Sequence, residues 1–354
     1  MGQAAITDKQ VEQFPDLSFK WLLDSVDNLR AFLQIVRPDI VNQIDFTKVQ
    51  KLPESYITDR KTKSSVSEAN ILREQRTDVT FLTTFQGRRK VFTLCIHIEQ
   101  QSKPDRTMSY RMSLYAHLIW DKQRQEWKEN STKGKDREFY TILPIVFYTG
   151  GVTWKRLRSL KEVVNPREPF GDFVPQYAPV FKSLSEIPDS ELVANDNPFG
   201  WAMRLFKKVK VPKTEFLLEL EGAVSCISNV ASDYQWRKLT QYLVLLIRNR
   251  RGKTEAEELI PLVEKLTIRS ERKEEVREMA MTSAQALRQE GRREGRREGA
   301  LETQRENILE TIQTRFQAVP SLVSERVKTI KSMARLKRIF NQCLSADSLD
   351  EIEI

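Results

Sequence analysis

Residues 71–101 read ILREQRTDVTFLTTFQGRRKVFTLCIHIEQQ, and this stretch decides the fold. Its first half is rich in Val, Thr and Phe and reads as a strand. A turn follows over 86–89, around Gly87. KVFTLCIHIEQQ is then a second strand of nearly continuous apolar character, the pattern of a strand buried on both faces. Asp78 stands inside the first strand, and Glu99 and Gln101 end the second. A carboxylate in such surroundings is costly to bury unless it is paired or bound to metal. Glu99 and Gln101 are two residues apart, so an extended strand points both to one face.

The pattern on either side completes an α/β core. From Asp105 to Trp120 the spacing turns helical, with Met108, Met112, Tyr115 and Ile119 in step. TILPIVFYTG (141–150) is a further apolar strand that ends at a glycine turn. Upstream, Phe19, Leu22, Leu23, Val26, Leu29, Leu33 and Val36 recur at steps of three and four and predict one helix. Asp16 would cap it, and Pro38 would end it. A second short helix is expected over Val41–Lys51, stopped by Pro53, and the polar stretch 58–70 reads as a loop. The order of elements predicts an α/β fold with one mixed sheet between helices.

Beyond this core, over residues 13–155, the chain changes character. Residues 156–200 read as an irregular connection, since 165–200 hold six of the fourteen prolines. Residues 201–270 are a helical region, with helices expected over Thr214–Val230, Tyr234–Arg250 and Glu255–Leu266. Residues 271–354 are a long charged helix and a C-terminal helix, the latter basic and spanning Leu322–Phe340. The long helix carries the repeat GRREGRREG (291–299). Its period of four puts Glu290, Glu294 and Glu298 on one stripe and Arg293 and Arg297 on another, for weak surface pairing. It reads as a solvated helical stalk, with self-association or a second DNA contact as alternatives.

Composition narrows the chemistry. The chain has 354 residues, with 58 Lys and Arg against 49 Asp and Glu, a formal charge of +9. A basic surplus favours polyanions through phosphate contacts, and equally serves solubility. Three scattered cysteines form no disulfide framework, and two histidines argue against a Cys/His zinc site. A metal site would rest on carboxylates, which suit Mg²⁺ or Mn²⁺. No segment approaches the roughly twenty apolar residues of a membrane span. The N-terminal residues lack the basic and apolar regions of a signal peptide, and Ile6 departs from a myristoylation motif. The expected location is cytoplasmic.

Two carboxylates on adjacent strands, Asp78 and Glu99, can converge on one cation, the arrangement that metal-assisted phosphodiester hydrolysis needs. The plainer alternative is a solvent-facing strand-end carboxylate paired with Arg76. DNA contacts would be mainly to phosphates, from Lys20, Arg76, Lys103, Arg106 and Arg111, with Arg73 and the Arg88–Arg89–Lys90 turn as further candidates. No helix-turn-helix signature or zinc finger stands out, so sequence-specific targeting is not indicated.

The residues also carry a resemblance. Asp16, Phe19 and Lys20 are followed by Arg76, Thr77 and Asp78. Glu99, Gln101 and Ser102 lead into Pro104, Asp105, Met108, Arg111 and Tyr115. Leu143, Pro144, Val146, Tyr148, Gly150 and Trp154 close the series. Over roughly 13–155 this resembles the recombination-promoting nuclease (Rpn), transposase-like family of the PD-(D/E)XK nuclease superfamily. The resemblance implies a Mg²⁺-dependent endodeoxyribonuclease, with Mn²⁺ or Ca²⁺ as other cations, whose cuts promote DNA recombination. It implies that Asp78 and Glu99 bind the metal and that Gln101 takes the place of the superfamily's lysine. Asp16 would complete the site or orient a water. Glutamine cannot supply the lysine's charge, which would fall to Lys20 or Lys103, and Gln100 stands where the family often has His. A homodimer would suit cutting of two strands. The alternative is a catalytically inactive DNA-binding or oligomeric interaction module on the same fold.

Overall fold

The computed structural model describes residues 16–53, 79–87, 90–164, 171–346 and 348–353. Arg73, Arg76, Asp78, Arg88 and Arg89 lie outside the described residues, as do the side chains of Asp16 and of much of 286–297.

The run expected as one helix over 16–36 is two, α1 (Asp16–Leu22) and α2 (Val26–Val36). The break has a local cause. The Ser25 hydroxyl accepts from Asn28 N at 3.4 Å and caps α2, while the buried Asn28 amide donates to Leu22 O at 3.0 Å. The short helix expected over Val41–Lys51 is replaced by one 3₁₀ turn, Val41–Gln43, and a strand, β1 (Ile44–Lys51). Ile44 and Phe46 are both buried, so the period is two and not three to four.

The elements that follow are β2 (Val79–Gln86), β3 (Val91–Gln101), α3 (Met108–Glu129), β4 (Thr141–Tyr148), α4 (Leu160–Val163) and β5 (Val180–Ser183). The sheet is mixed, in the order β1-β2-β3-β4-β5. The first two pairings are antiparallel and the last two parallel. Strand β5 lies within the stretch expected to be irregular. Four residues are too short for a periodic signal, and prolines flank them.

The two faces of β3 meet different cores, as its alternation requires. Leu94, Ile96 and Ile98 join the larger core. There Phe19, Phe32, Phe147 and Phe199 form a ring cluster with centroids 5.1–6.0 Å apart. The other face meets α3, where Met108, Met112, Tyr115, Leu118 and Val146 make a second core. His97, on this face, lies 5.0 Å from the Tyr115 ring.

The helical region continues with α5 (Asp189–Leu192), α6 (Pro198–Lys207), α7 (Lys213–Ser228), α8 (Asp233–Arg250) and α9 (Lys253–Leu266). Buried amides tie it to the first helices. Asn197 donates to Ala31 O at 2.8 Å, and Gln235 donates to Asn28 Oδ1 at 3.1 Å. The chain divides into two compact units, Met1–Ser283 and Ala284–Ile354. Helix α10 (Ser270–Phe316) runs across that boundary.

The second unit has its own core of Leu301, Ile308 and Ile312 from α10 with Val327, Ile330, Leu336, Ile339 and Cys343. The basic stretch expected as one helix over Leu322–Phe340 is two, α11 (Ser321–Thr329) and α12 (Met333–Ser345). Ser332 ends the run, since its hydroxyl accepts from Arg335 N at 3.3 Å and starts α12. Over 291–299 the backbone is helical as the repeat implies, and the pairing of Glu290 with Arg293 lies outside the described side chains.

Candidate functional site

Strand β3 ends in three consecutive polar residues that the sheet buries or half-buries. Glu99 is 0% exposed and Gln100 2%. Glu99 pairs in register with Val146 of β4, and Val79, the first described residue of β2, pairs with Ile98. Asp78, the expected partner carboxylate, lies outside the described residues.

Glu99 and Gln101 share a face, and Gln101 donates its side-chain amide to Glu99 Oε1. The same oxygen accepts from Arg111 Nη2 at 3.0 Å. Glu99 Oε2 is also buried and has no donor among the described residues. Burial pushes the Glu99 carboxyl up to about 7, against the opposing pull of Arg111 and Gln101.

Arg111 stands on the first turn of α3, which follows β3 after a six-residue loop. Its guanidinium is divided among three partners. Nη2 also reaches Tyr115 OH at 3.1 Å, one helical turn on, and Nη1 reaches Asp105 Oδ2 at 3.1 Å. Burial disfavours the cation, but Glu99 and Tyr115 outweigh it and hold Arg111 charged. Burial likewise acts to raise Asp105, yet hydrogen bonds from Thr107 and Arg111 hold it below its ordinary value. Asp105 Oδ1 accepts from Thr107 N and Oγ1, both at 2.7 Å.

Asp105 and Thr107 were not among the expected site residues. Their signal was present in the sequence, because Asp-x-Thr favours an Asx turn, in which the Asp side chain accepts from the backbone two residues on. The turn fixes the carboxylate that takes the second arm of Arg111.

The loop after β3 is strapped to the end of β4. Thr149 N donates to Gln101 O at 2.9 Å, and Gln100 Nε2 donates to Thr149 Oγ1 at 2.6 Å. Gly150 sits so close to this loop that an added Cβ would overlap the Ser102 carbonyl oxygen and the Tyr148 hydroxyl. Lys103 and Arg106 project from the same loop and are exposed.

Helix α1 covers the opposite face of the sheet, where Phe19 stacks on Phe147 at 5.1 Å. Lys20, on that helix, is buried at 6% exposure. The Asp16 backbone belongs to α1, and its side chain and Arg76 lie outside the described residues. Glu99, Gln101 and Arg111 are therefore brought together, with Lys103 and Arg106 at the rim. Among the described residues no group of three or more His, Cys, Asp and Glu side chains is gathered.

Two nearby groups are packing residues. His97 Nδ1 lies 2.9 Å from Thr80 Oγ1, and burial pushes the imidazole down to about 3, so it stays neutral. Burial raises the Cys95 thiol to about 12. Such a thiol has no thiolate character near neutrality.

No helix among the described residues is long and apolar enough to cross a membrane. No curated protein and no solved structure matches the chain. A family model described as "Putative transposase, YhgA-like" matches residues 15–235, which contain the whole sheet, α3 and the Glu99–Arg111 cluster. The chain belongs to this YhgA-like transposase family.

Proposed function

We propose that the chain is a metal-dependent endonuclease that hydrolyses DNA phosphodiester bonds, on a core of the PD-(D/E)XK kind. The observation that carries this reading is Glu99. It is fully buried at a strand end, one oxygen is held by Arg111 and Gln101, and the other has no donor among the described residues. A buried carboxylate oxygen without a partner is a cost the fold retains for a reason, and cation binding is a chemically apt one. Oxygen ligation suits Mg²⁺ or Mn²⁺.

Glu99 would hold the cation together with Asp78, the acidic residue before Val79 in sequence. Held there, a cation would supply polarisation of the phosphoryl oxygen and a lowered pKa for the attacking water. In the hydrolysis a water oxygen bonds to phosphorus, one P–O ester bond breaks, and the departing oxygen takes up a proton.

The chain's own residues supply position. Arg111 fixes the rotamer of Glu99 and keeps a positive charge beside it. Gln101 donates one amide hydrogen to Glu99, and its carbonyl oxygen would accept from the attacking water. Arg111 is engaged by protein groups, so Lys103 and Arg106 at the exposed rim are the better phosphate contacts.

The test is cleavage of supercoiled plasmid by the purified chain with Mg²⁺ or Mn²⁺, with EDTA, and with folded Asp78→Asn and Glu99→Gln variants. Nicking or linearisation that EDTA and both substitutions abolish is the expected result. A folded wild-type chain that binds DNA and cuts none under any cation would replace this reading with that of a non-catalytic binding module.

A further inference from the structure

In the C-terminal unit Arg305 meets Glu302 at 2.9 Å, but among the described residues the basic ones of its last two helices have no such partners. In the first unit many cations are spent on carboxylates. Arg204 meets Glu219 at 2.6 Å, Arg251 meets Glu255 at 2.6 Å, and Arg272 meets Asp233 at 2.7 Å. Residues 321–340 hold seven charged side chains, of which only Glu325 is acidic. The other six are Arg326, Lys328, Lys331, Arg335, Lys337 and Arg338, and all are exposed. Among the described residues none of the six has an ion-pair partner. Six like charges on twenty residues repel one another, so the fold bears a cost that a polyanion would relieve.

The unit is built to hold these charges in place. Helices α11 and α12 are joined by only three residues, 330–332, and their apolar sides meet α10 in one core. Two arginines of α10 fasten them. Arg305 donates to Ile330 O, in the turn, at 2.7 and 3.2 Å. Arg315 donates to Cys343 O, near the end of α12, at 2.5 Å. On α12 the buried Leu336, Ile339 and Cys343 define the inner stripe, and Lys337 and Arg338 lie away from it. Two helices joined by a short turn and backed by a third form a rigid platform, a layout well suited to lie against a duplex.

We propose that the basic face of α11 and α12 binds the phosphate backbone of duplex DNA, as a contact additional to the Glu99 site. The proposal takes from the preceding reading that DNA is the substrate. It adds a second contact in a separate unit, one that supplies affinity without sequence preference.

The experiment measures binding of the full-length chain to a fluorescein-labelled 20-base-pair duplex in EDTA, across a salt series, so that cleavage plays no part. The test variant is Lys328→Gln/Lys337→Gln/Arg338→Gln. A control with the same loss of charge is Lys128→Gln/Lys210→Gln/Lys253→Gln, three exposed lysines of the first unit. The charge-preserving variant Lys328→Arg/Lys331→Arg/Lys337→Arg guards against a purely structural effect. Each lost phosphate contact lowers the slope of log K against log salt by about 1. The test variant is therefore expected to lose about 2–3 units of slope and at least about tenfold in affinity, with the control and the arginine variant near wild type.

Equal losses in the test variant and the control would overturn the proposal, because net charge alone would then explain binding. Unchanged DNA binding with altered self-association, read by sedimentation, would also overturn it and assign the face to a second copy of the chain. Plasmid cleavage with Mg²⁺ is scored separately. Wild-type cleavage that depends on Glu99, with no loss of binding in the test variant, would leave the nuclease reading standing and remove this one.

Discussion

Arg111 holds Glu99 by one oxygen only. Its Nη2 lies 3.0 Å from Glu99 Oε1, while the equally buried Oε2 has no donor among the described residues. The guanidinium is committed elsewhere as well: Nη2 is shared with Tyr115 OH at 3.1 Å, and Nη1 is held by Asp105 Oδ2 at 3.1 Å. Removing it would strand a carboxylate at 0% exposure. Arg111→Ala is expected to cost up to about 3–5 kcal/mol by urea denaturation at alkaline pH, and less as the pH falls and the carboxyl takes up a proton. Adding Glu99→Gln to that variant should return much of the loss, since the stranded charge is then gone. A neutral Arg111→Ala would mean that the pair contributes nothing to the fold.

The Glu99 carboxyl titrates at about 7, raised by burial in spite of Arg111 and Gln101. Its folded value lies above its ordinary one, so in between the folded chain keeps a proton that the unfolded chain has released. That contribution is full below the ordinary carboxylate range and is lost as pH rises through about 7. Glu99→Gln cannot ionise. In EDTA the variant should therefore gain on wild type by about 1.4 kcal/mol per pH unit between pH 5 and 7, then hold level. Denaturant midpoints at half-unit steps of pH measure the difference. A gap independent of pH would place the titration elsewhere.

Gly150 lies where no side chain fits, against the Ser102 carbonyl and the Tyr148 hydroxyl. Gly150→Ala must push the loop that follows Gln101 away from β4. A stability loss of about 1–3 kcal/mol is expected from the overlap, with plasmid cleavage reduced more than stability alone explains. Gly151→Ala is the control, since nothing lies within 4 Å of its added Cβ. Equal effects at the two positions would show that the close approach is not what matters.

The centre of the fold was legible because strands β2, β3 and β4 are apolar and bounded by turn residues. The same alternation that buries Ile98 in one core turns Glu99 and Gln101 toward α3, so their common face followed from spacing alone. The pattern failed at the edges. Ile44, Phe46 and the half-buried Val49 are the apolar residues of β1, and their steps of two and three do not separate a period of two from one of three to four. The helix ends at Leu22 and Thr329 are not visible in the pattern because Ser25 and Ser332 act as caps inside otherwise continuous periodic runs. In the candidate site, sequence supplied Glu99, Gln101 and Arg111, and the contact across twelve residues that joins the first to the last is made by the β3–α3 connection. Asp105 is the less legible member, because its partner Arg111 lies six residues on, beyond the Asx turn that Asp105 forms with Thr107.

A buried hydrogen bond between Asn28 and Gln235 spans 207 residues and links α2 to α8, at 3.1 Å from Gln235 Nε2 to Asn28 Oδ1. Asn28 is 0% exposed, and its own amide is committed to Leu22 O at 3.0 Å. Asn28→Ala strands the Gln235 amide, at about 1–3 kcal/mol, and also takes from Leu22 O the shorter of its two bonds, leaving Ser25 N at 3.3 Å. Gln235→Ala strands only Asn28 Oδ1 and should cost less. Since both substitutions remove one shared bond, the double variant should cost less than the sum of the two, with a coupling of about 0.5–3 kcal/mol. Denaturant unfolding of the four proteins closes the cycle. Strict additivity would mean that the helices are held by their apolar contacts alone, and that the Asn28 amide serves only to end α1.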